Sequence, residues 1–475
     1  EEGKYKSAIK YFKLLTVLDP SASLGFYNMG NTYLELKDFE NSKTFFIKTL
    51  EMEPKHEMAL ANLGETYRKL GKIEKSLSCH NKAIKINPEN AKNYYNIAIT
   101  FREAERINEA EENYRKAILL DPKHIGSYHN LALIHQYRGQ IKEGLSIAKE
   151  VLKFETNHPD INHIIGIMSL QIGLLAEGWK YFEYRWKASQ FNKIKWPLQD
   201  KSIWKGEKGK RVVVWKEQGL GDQIIFLSLV PEVKEMCDTL SVYIDPRLQS
   251  LCKRTMPDIH FIADEKALNS EDCDFHLPIQ SLGGLIRNDI SDFDRTVRGY
   301  LKADPVRVEA IRKELKLKGK TVIGVSWKSF KTKYKTKSVQ LKDMKRIFSG
   351  LDVVLVNLQY GDVEDEIREF KEATGIDVIQ CASVDNREDL DGLAALIEAC
   401  DLVVSITNVT VHLAGALAKE AWVLLPYVPN FWWGSDRSDS IWYPSASLYR
   451  QPTLNDWDDV FVSIRKDLDK RLRCN

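Results

Sequence analysis

A spacing of 34 residues separates the first four prolines of the chain, which are Pro20, Pro54, Pro88 and Pro122. A fixed period of this length indicates a solenoid in which each unit is a pair of helices that buries its apolar face only against its neighbours. Small residues keep the same period, as expected where two paired helices approach closely, and stand at Gly30, Gly64, Ala98 and Ala132. The sequence therefore predicts a helical repeat array that begins within a unit.

Large residues hold the same register, and residues 1 to about 155 resemble the tetratricopeptide repeat family. A degenerate fifth unit follows, and its second helix, residues 177–187, carries five aromatic side chains. We expect this helix to close the solenoid against the next domain, which gives a solenoid domain over residues 1–190.

A repeat array of this kind serves as a scaffold or offers a groove to a protein partner. Asparagines recur on the first helices of the units and are candidate groove residues, although a solvated helix face explains them equally well. They are Asn28, Asn31, Asn62, Asn96 and Asn130.

Composition excludes several classes of function. The 69 Lys and Arg residues nearly balance the 67 Asp and Glu residues, so no overall charge favours nucleic acid as a partner. Seven scattered cysteines show no metal-ligand or disulfide spacing, which favours a reducing cytoplasm. No apolar run approaches the roughly 18 residues of a transmembrane helix.

From about residue 208 the pattern changes to short β-branched runs separated by helices. Continuous runs of Val, Ile and Leu are typical of strands buried on both faces in a parallel sheet. We expect an α/β region of two Rossmann-like lobes with a cleft between them, over residues 208–305 and 318–468. The fold class is thus an α-solenoid followed by α/β lobes.

A loop that is a candidate for chemical function follows the first predicted strand. Gly219 and Gly221 permit a tight turn, but Ile224 stands where a dinucleotide-binding fingerprint requires its third glycine. Asp222, followed by Gln223, lies at the start of the next helix. It is a helix cap on one interpretation, and a general base facing the cleft on the other.

A second loop, residues 405–412, precedes a helix in the second lobe and contains Thr407, Asn408, Thr410 and His412. This helix start has hydroxyl and amide groups and no carboxylate, so its N–H groups and dipole can receive an anion. His412 is a donor to a phosphate oxygen on one interpretation and an ordinary capping or core histidine on the other.

Lysines recur after the strand predicted to end at Trp327, interleaved with Phe330 and Tyr334. They are Lys328, Lys331, Lys333, Lys335 and Lys337. Such a run is a solvated loop, a nucleic-acid patch or, because it leaves a strand of the phosphate-binding lobe, a lid over a nucleotide diphosphate. Ser329, Gln359 and Tyr360 would flank the same site. The aromatic segment 426–444 would stack on a base or sugar, or seal the lobes together.

Several short motifs, taken in order, resemble glycosyltransferase family nine, the ADP-heptose:lipopolysaccharide heptosyltransferases. They lie at residues 219–223, 323–328, 412–417 and 423–427, and bacterial members of this kind carry such a domain after tetratricopeptide repeats. The resemblance implies a GT-B fold and an inverting sugar transfer that needs neither a metal nor another cofactor. It places the nucleotide-sugar donor in the second lobe and the acceptor against the first.

Residue by residue, the resemblance makes Asp222 the base that deprotonates the acceptor hydroxyl. The family's phosphate-binding lysine falls on Lys337 or Lys328, and spacing favours Lys337. Its phosphate-binding helix start falls on residues 408–412.

One position departs from the family, because Thr407 stands where relatives usually carry an acidic residue. The departure implies a donor other than ADP-heptose or a weakened activity. We expect the acceptor to be a glycan, a lipopolysaccharide or a protein held by the repeats, and the enzyme to be cytoplasmic or peripheral at the inner membrane. The alternative is a non-catalytic scaffold with a degenerate transferase domain.

Overall fold

The computed structural model describes residues 2–19, 23–191, 194–295, 298–316, 319–329 and 337–474. The chain divides into two units, Glu1–Ile161 and Asn162–Asn475. None of the helices in the described part of the chain is both long and apolar enough to span a bilayer.

The first unit is built from successive helices that pack in pairs. They are α1 (Glu2–Leu18), α2 (Ser23–Glu35), α3 (Phe39–Met52), α4 (Glu57–Lys69), α5 (Ile73–Ile86), α6 (Ala91–Glu103), α7 (Ile107–Leu120), α8 (Ile125–Tyr137) and α9 (Ile141–Glu150). The small residues lie where we expected, since a Cβ on Gly30 would come within 2.7 Å of the Phe46 ring. The predicted helical solenoid is confirmed.

The turn between paired helices has the same backbone conformation in every unit. Its residue is left-handed, with φ between 60° and 81°, and recurs every 34 residues at Lys37, Gly71, Glu105, Gly139 and Gly173. The last of these lies in the degenerate fifth unit, so the repeat period continues into the second structural unit.

The helices of this fifth pair are α10 (Pro159–Gln171) and α11 (Leu175–Phe182), followed by a 3₁₀ turn (Glu183–Trp186). Their aromatic side chains pack within the second unit. The Trp179 indole donates a 2.7 Å hydrogen bond to the Arg287 carbonyl and lies so close to Gly283 that a Cβ there would meet its ring at 2.5 Å. The boundary between the units thus lies before the aromatic helix that we expected to end the solenoid.

The first sheet of the second unit contains five parallel strands in the order β1-β5-β2-β3-β4. They are β1 (Ser202–Ile203), β2 (Arg211–Trp215), β3 (Thr239–Tyr243), β4 (His260–Ile262) and β5 (Phe275–Pro278). The connecting helices are α12 (Leu220–Leu227), α13 (Val230–Met236), α14 (Gln249–Thr255), α15 (Glu265–Asn269) and α16 (Leu282–Ile286).

The second sheet contains six parallel strands in the order β11-β10-β9-β6-β7-β8. They are β6 (Thr321–Ser326), β7 (Val353–Asn357), β8 (Val378–Ile379), β9 (Leu402–Ile406), β10 (Ala421–Leu425) and β11 (Ala446–Arg450). Its helices are α17 (Pro305–Glu314), α18 (Lys345–Phe348), α19 (Glu364–Thr374), α20 (Leu390–Ala399), α21 (Val409–Ala416) and α22 (Asp458–Cys474). The predicted α/β region with parallel sheets is confirmed.

Each sheet has a point at which the strand order reverses. In the first sheet β3 and β5 flank β2 on opposite sides, and in the second sheet β7 and β9 flank β6. Ligands of open parallel sheets bind outside the carboxyl ends of the strands at such points. The topology therefore draws attention to the loops after β2 and β5, and to those after β6 and β9.

The aromatic side chains of segment 426–444 pack between elements of the two sheets. Trp442 packs edge-on against Phe226 of α12, with ring centroids 5.2 Å apart, and Phe431 contacts Trp179 at 5.9 Å. Trp432, Trp433 and Trp442 are all buried. Sealing of the lobes, one of the two interpretations of this segment, describes its contacts.

Replacing Trp179 by Ala should destabilise the second unit by about 3–5 kcal/mol, because removal of the buried indole leaves a cavity and takes away the hydrogen bond to the Arg287 carbonyl. Val462→Ala is the control, because Val462 is 64% exposed and its truncation should change stability by less than about 0.5 kcal/mol. Urea unfolding followed by circular dichroism measures both. Equal midpoints for the two variants would contradict the packing described here.

Candidate functional site

Asp222 lies in the first turn of α12, three residues after the N-cap Gly219. Its Oδ2 accepts a 2.9 Å hydrogen bond from the Gly219 backbone N–H. Its Oδ1 is buried and has no hydrogen-bond partner among the residues that the structure describes. The two interpretations of Asp222 are therefore compatible, because one oxygen fixes the helix start while the other makes no hydrogen bond to the described residues.

The surroundings of Asp222 make its carboxylate more basic. Burial raises the pKa of Asp222 to about 6, and the charge of Glu217 acts in the same direction. The Gly219 N–H and the ammonium of Lys337 partly oppose this shift. A carboxyl group with such a pKa is ionised at neutral pH and is still able to take a proton.

His412 brings the second sheet to this loop. It lies on α21, and a Cβ on Gly221 would be 2.8 Å from its Cδ2, so only glycine fits at that position. Its Nδ1 lies 3.1 Å from the Tyr443 hydroxyl, and its ring stacks on Trp433 at 5.4 Å. Burial and the nearby Lys337 lower the pKa of His412 to about 3, so the imidazole is neutral.

Of the two candidate phosphate-binding lysines, Lys337 is the one whose charge interacts with that of Asp222. Burial lowers the pKa of Lys337 while the Asp222 charge raises it, and its Nζ donates to Asn430 Oδ1 at 3.3 Å. Lys328 instead forms an ion pair with Glu366. The remaining members of the run, Lys331, Lys333 and Lys335, lie outside the described residues together with Phe330 and Tyr334.

Gln359 holds the loop after β6. Its Oε1 accepts hydrogen bonds from Ser326 Oγ and from the backbone N–H groups of Trp327 and Lys328, at 2.9–3.0 Å. Its Nε2 donates to the Tyr360 carbonyl at 3.1 Å, and the Ser329 N–H donates to Ser338 Oγ at 3.1 Å. We expected Gln359 to flank the nucleotide-sugar site. In the structure its carboxamide instead holds the loop after β6 in shape.

Asn408 is the N-cap of α21, which begins one turn earlier than we expected. Its Oδ1 accepts from the Thr410 N–H at 3.1 Å, and its Nδ2 donates to Ser326 Oγ at 2.6 Å. The Thr410 hydroxyl donates to the Leu358 carbonyl at 3.3 Å. We expected the N–H groups of this helix start to receive an anion, and the structure shows that an asparagine side chain already caps one of them, the Thr410 N–H. Thr407 is half-buried between β9 and this cap.

Gln223 is likewise occupied with the fold. Its buried side-chain Oε1 accepts a 2.8 Å hydrogen bond from the Asp245 N–H and so joins α12 to the loop after β3. Gly219 and Gly221 shape the turn on which Asp222 is carried.

A cavity of about 900 Å³ opens at the carboxyl ends of β2 and β3, beside the turn that carries Asp222. Residues 194–200 form one wall, and Gln218 and Gln223 lie on the side of the turn. Lys216, also in the lining, places its ammonium 4.5 Å from the centre of the Tyr243 ring. In the described part of the chain, no group of three or more His, Cys, Asp or Glu side chains is arranged to hold a metal ion.

The sequence gives no sign of two residues that contribute to this region. Asn430 meets Lys337 across 93 positions of sequence, and the buried Arg185 contacts Glu217 in the loop after β2. Neither residue lies in a motif, and both owe their places to tertiary packing. Only the aromatic neighbours of Arg185 marked its segment as unusual.

Comparison with known proteins identifies the repeats. Family models described as tetratricopeptide repeat match residues 25–56, 57–123 and 125–160. Protein FlbA of Caulobacter vibrioides is 28% identical over 322 residues, which cover 62% of this chain and 52% of FlbA. The chain thus spans about half the length of this curated relative. Because the first unit is only about a third of the chain, the match extends into the second unit.

Solved structures similar to this chain include MamA and YrrB, of which YrrB is described as a TPR protein. MamA from Desulfovibrio magneticus RS-1 is 23% identical with a TM-score of 0.31, and the match covers 33% of this chain and 89% of MamA. YrrB is 18% identical with a TM-score of 0.29, over 38% of this chain and 88% of YrrB.

The raised pKa of Asp222, about 6 against roughly 3.9 in an unfolded chain, predicts a pH-dependent effect of Asp222→Asn. The protonated carboxyl is the form that the fold prefers, so its contribution is full below pH 4 and is lost as the pH rises through 6. Relative to wild type, the Asn variant should gain up to about 3 kcal/mol of stability between pH 4 and pH 8.

Thermal unfolding of both proteins across this pH range measures the effect, and the exposed Asp200→Asn serves as the matched substitution. A stability difference between Asp222→Asn and wild type that does not change with pH would contradict the burial of this carboxylate.

Proposed function

We propose that the second unit is a glycosyltransferase of the GT-B type, joined to repeats that recruit its acceptor or a protein partner. In this proposal Asp222 deprotonates an acceptor hydroxyl, and the donor is a nucleotide-diphosphate sugar held at the carboxyl edge of the second sheet. The observation that carries the proposal is the Asp222 carboxylate, which is fixed through Oδ2 and unpartnered at Oδ1 among the described residues.

The proposed reaction is a direct displacement. The acceptor oxygen forms a bond to the anomeric carbon as its proton passes to Asp222 Oδ1, and the bond from that carbon to the diphosphate breaks. A base whose pKa is about 6 suits this step, because it is ionised at neutral pH and gains basicity from burial. Attack from the face opposite the leaving group inverts the anomeric centre.

The departing diphosphate needs positive charge in the same cleft. Lys337 supports this role, because its ammonium is partly desolvated and its electrostatic neighbours include both Asp222 and His412. A desolvated cation stabilises a developing anion more strongly than a solvated one does. Lys328 suits the role less well because Glu366 already balances its charge.

The donor and acceptor have separate places in this proposal. The loops after β6 and β9 meet at the point where the strand order of the second sheet reverses, which favours the nucleotide there. The 900 Å³ cavity beside the turn of Asp222 offers room for part of an acceptor, whether glycan, lipopolysaccharide or protein. Because Thr407 replaces an acidic residue of the resembling family, the donor sugar need not be heptose.

The repeats support a role in recruiting a protein. Tetratricopeptide units present first helices along one face, where the recurring asparagines lie. Some of them are engaged with neighbouring units, since Asn62 donates to Asn31 at 2.7 Å and Asn130 accepts from Arg102 at 2.6 Å. Asn28 and Asn96 are half-buried. These contacts keep a row of carboxamides in defined orientations, as a peptide-binding surface requires.

A second candidate is a non-catalytic scaffold in which the transferase lobes only pack on each other. The internal hydrogen bonds of Gln359 and Asn408 favour it, because they occupy side chains that we expected to lie at the donor site. Nucleotide binding distinguishes the two candidates, since a scaffold has no need of it.

Calorimetric titration with a panel of nucleoside diphosphates should find at least one that binds well below millimolar concentration. Lys337→Met should weaken this binding by 10-fold to 100-fold, equivalent to about 1.4–2.8 kcal/mol, because the diphosphate loses a partly buried cation. Lys328→Met is the control and should change affinity less than threefold, since Glu366 already pairs with Lys328. Millimolar or absent binding of the whole panel would refute the enzyme hypothesis.

Asp222→Asn should lower the transfer rate at least 100-fold, in line with the loss of a general base, while nucleotide affinity stays within about twofold. A donor screen that measures released nucleotide identifies the substrate. The control is Asp258→Asn, because Asp258 is exposed and lies outside the lining of the 900 Å³ cavity. Loss of nucleotide affinity together with activity would instead show that Asp222 acts only as a structural group at the helix start.

A further inference from the structure

A buried cluster lies directly beneath the turn that carries Asp222. Arg185 has no exposed surface, and its guanidinium binds the carboxylate of Glu217 through two hydrogen bonds, from Nε at 3.0 Å and from Nη2 at 2.9 Å. Glu217 is 7% exposed. This pairing of a planar guanidinium with both carboxylate oxygens fixes distance and orientation together.

The same cluster joins three separate segments of the chain. Arg185 belongs to the 3₁₀ turn that precedes both sheets, and its Nη2 also donates to Ser281 Oγ at 2.8 Å. Glu217 Oε1 accepts a 3.0 Å hydrogen bond from the Gln280 N–H. Residues 217 and 280–281 lie in the loops after β2 and β5, which flank the reversal of strand order in the first sheet. Arg185 therefore sets the separation of these two loops.

A buried ion pair of this kind contributes little net free energy to the stability of a fold. Removing two charges from water offsets most of their attraction, and apolar residues of similar volume are often as stabilising or more so. What the ion pair provides in addition is a defined geometry. The faces of Phe182 and Trp186, 4.4 Å and 4.7 Å from the guanidinium carbon, restrict Arg185 further.

The geometry passes from Glu217 to Asp222 through a short and constrained turn. Gln218 follows Glu217 with a left-handed φ of 55°, which is unfavourable for a residue other than glycine. Gly219 comes next, and its N–H orients the Asp222 carboxylate. A shift of Glu217 therefore moves the N–H on which the orientation of Asp222 depends.

We propose that Arg185 is a positioning residue that acts through Glu217 to hold the Asp222 carboxylate in place for proton transfer. The proposal rests on the proposed transferase function for its catalytic consequence, but the positioning itself is a property of the folded chain. Charged or titratable groups that act on Asp222 besides Glu217 are Lys337 and, as a neutral hydroxyl, Tyr443.

The test replaces the ion pair by apolar side chains in the full chain. Arg185→Met alone leaves Glu217 buried without its cationic partner and should lower the unfolding midpoint. The double variant Arg185→Met/Glu217→Met should recover most of that loss. In the double variant, hydrogen exchange at the Gly219 amide should accelerate at least 10-fold, and kcat should fall at least 10-fold with the KM for the donor within twofold.

The chain contains a matched control. Arg287 is also fully buried, and its Nη1 donates to Glu232 Oε2 at 2.9 Å, away from the turn of Asp222. The double variant Arg287→Met/Glu232→Met removes a buried arginine together with its partly exposed carboxylate partner, and should leave Gly219 exchange within twofold of wild type. Should the Arg185 double variant not fold, Ser281→Ala removes one contact of Arg185 and should accelerate Gly219 exchange two- to threefold.

Two results would overturn the proposal. One is a Gly219 exchange rate in the folded Arg185 double variant that equals the wild-type rate, and the other is an equal acceleration in the Arg287 double variant. If wild-type protein shows no transfer with any donor, the transferase function fails while the exchange measurement still decides the positioning role. Faster exchange with an unchanged kcat would also overturn it, because Asp222 would then work without being held.

Discussion

The close approach of Gly221 to the imidazole of His412 is the constraint on which the arrangement of the second unit depends. Any side chain at Gly221 would occupy the space of the histidine ring and separate α12 from α21. With glycine there, the loop after β2 and the helix after β9 meet, and the next residue, Asp222, shares its electrostatic surroundings with Lys337 of the other sheet. Trp433 and Tyr443 of segment 426–444 pack against the His412 ring, and this burial keeps the imidazole neutral.

Much of this architecture could be predicted from the sequence because burial on both faces leaves a strong pattern. Six short β-branched runs predict strands that correspond to β2, β3, β6, β7, β9 and β10, and they lie at residues 211–215, 240–244, 321–327, 353–359, 402–407 and 421–425. Four of the strands that escaped prediction, β1, β4, β8 and β11, are the edges of the two sheets, where one neighbour is missing and apolar runs are short or interrupted. The fifth, β5, is internal but contains His276 and Pro278, which break the apolar pattern.

The positions of the candidate loops were also predictable, because strand ends in a parallel sheet share one edge. The partners of the side chains in those loops were not. A glutamine such as Gln359 or an asparagine such as Asn408 has the same hydrogen-bonding capacity whether it meets a ligand or a backbone N–H. Only the fold shows that neighbouring backbone groups come first. Arg185 illustrates the reverse case, since nothing in its local sequence indicates that it lies beneath a loop 32 residues further on.

The left-handed turn that recurs every 34 residues reaches Gly173, beyond the point at which the chain changes from the first unit to the second. The repeat period and the structural boundary therefore do not coincide. The fifth helix pair follows the repeat period in sequence but packs within the second unit. Exchange of repeat arrays between proteins of this organisation is thus restricted. A recombination joint placed by the sequence period, after the fifth pair, would remove Trp179 and Arg185 from the sheet against which they pack. A joint near residue 161 would keep the fifth helix pair and its 3₁₀ turn together with that sheet.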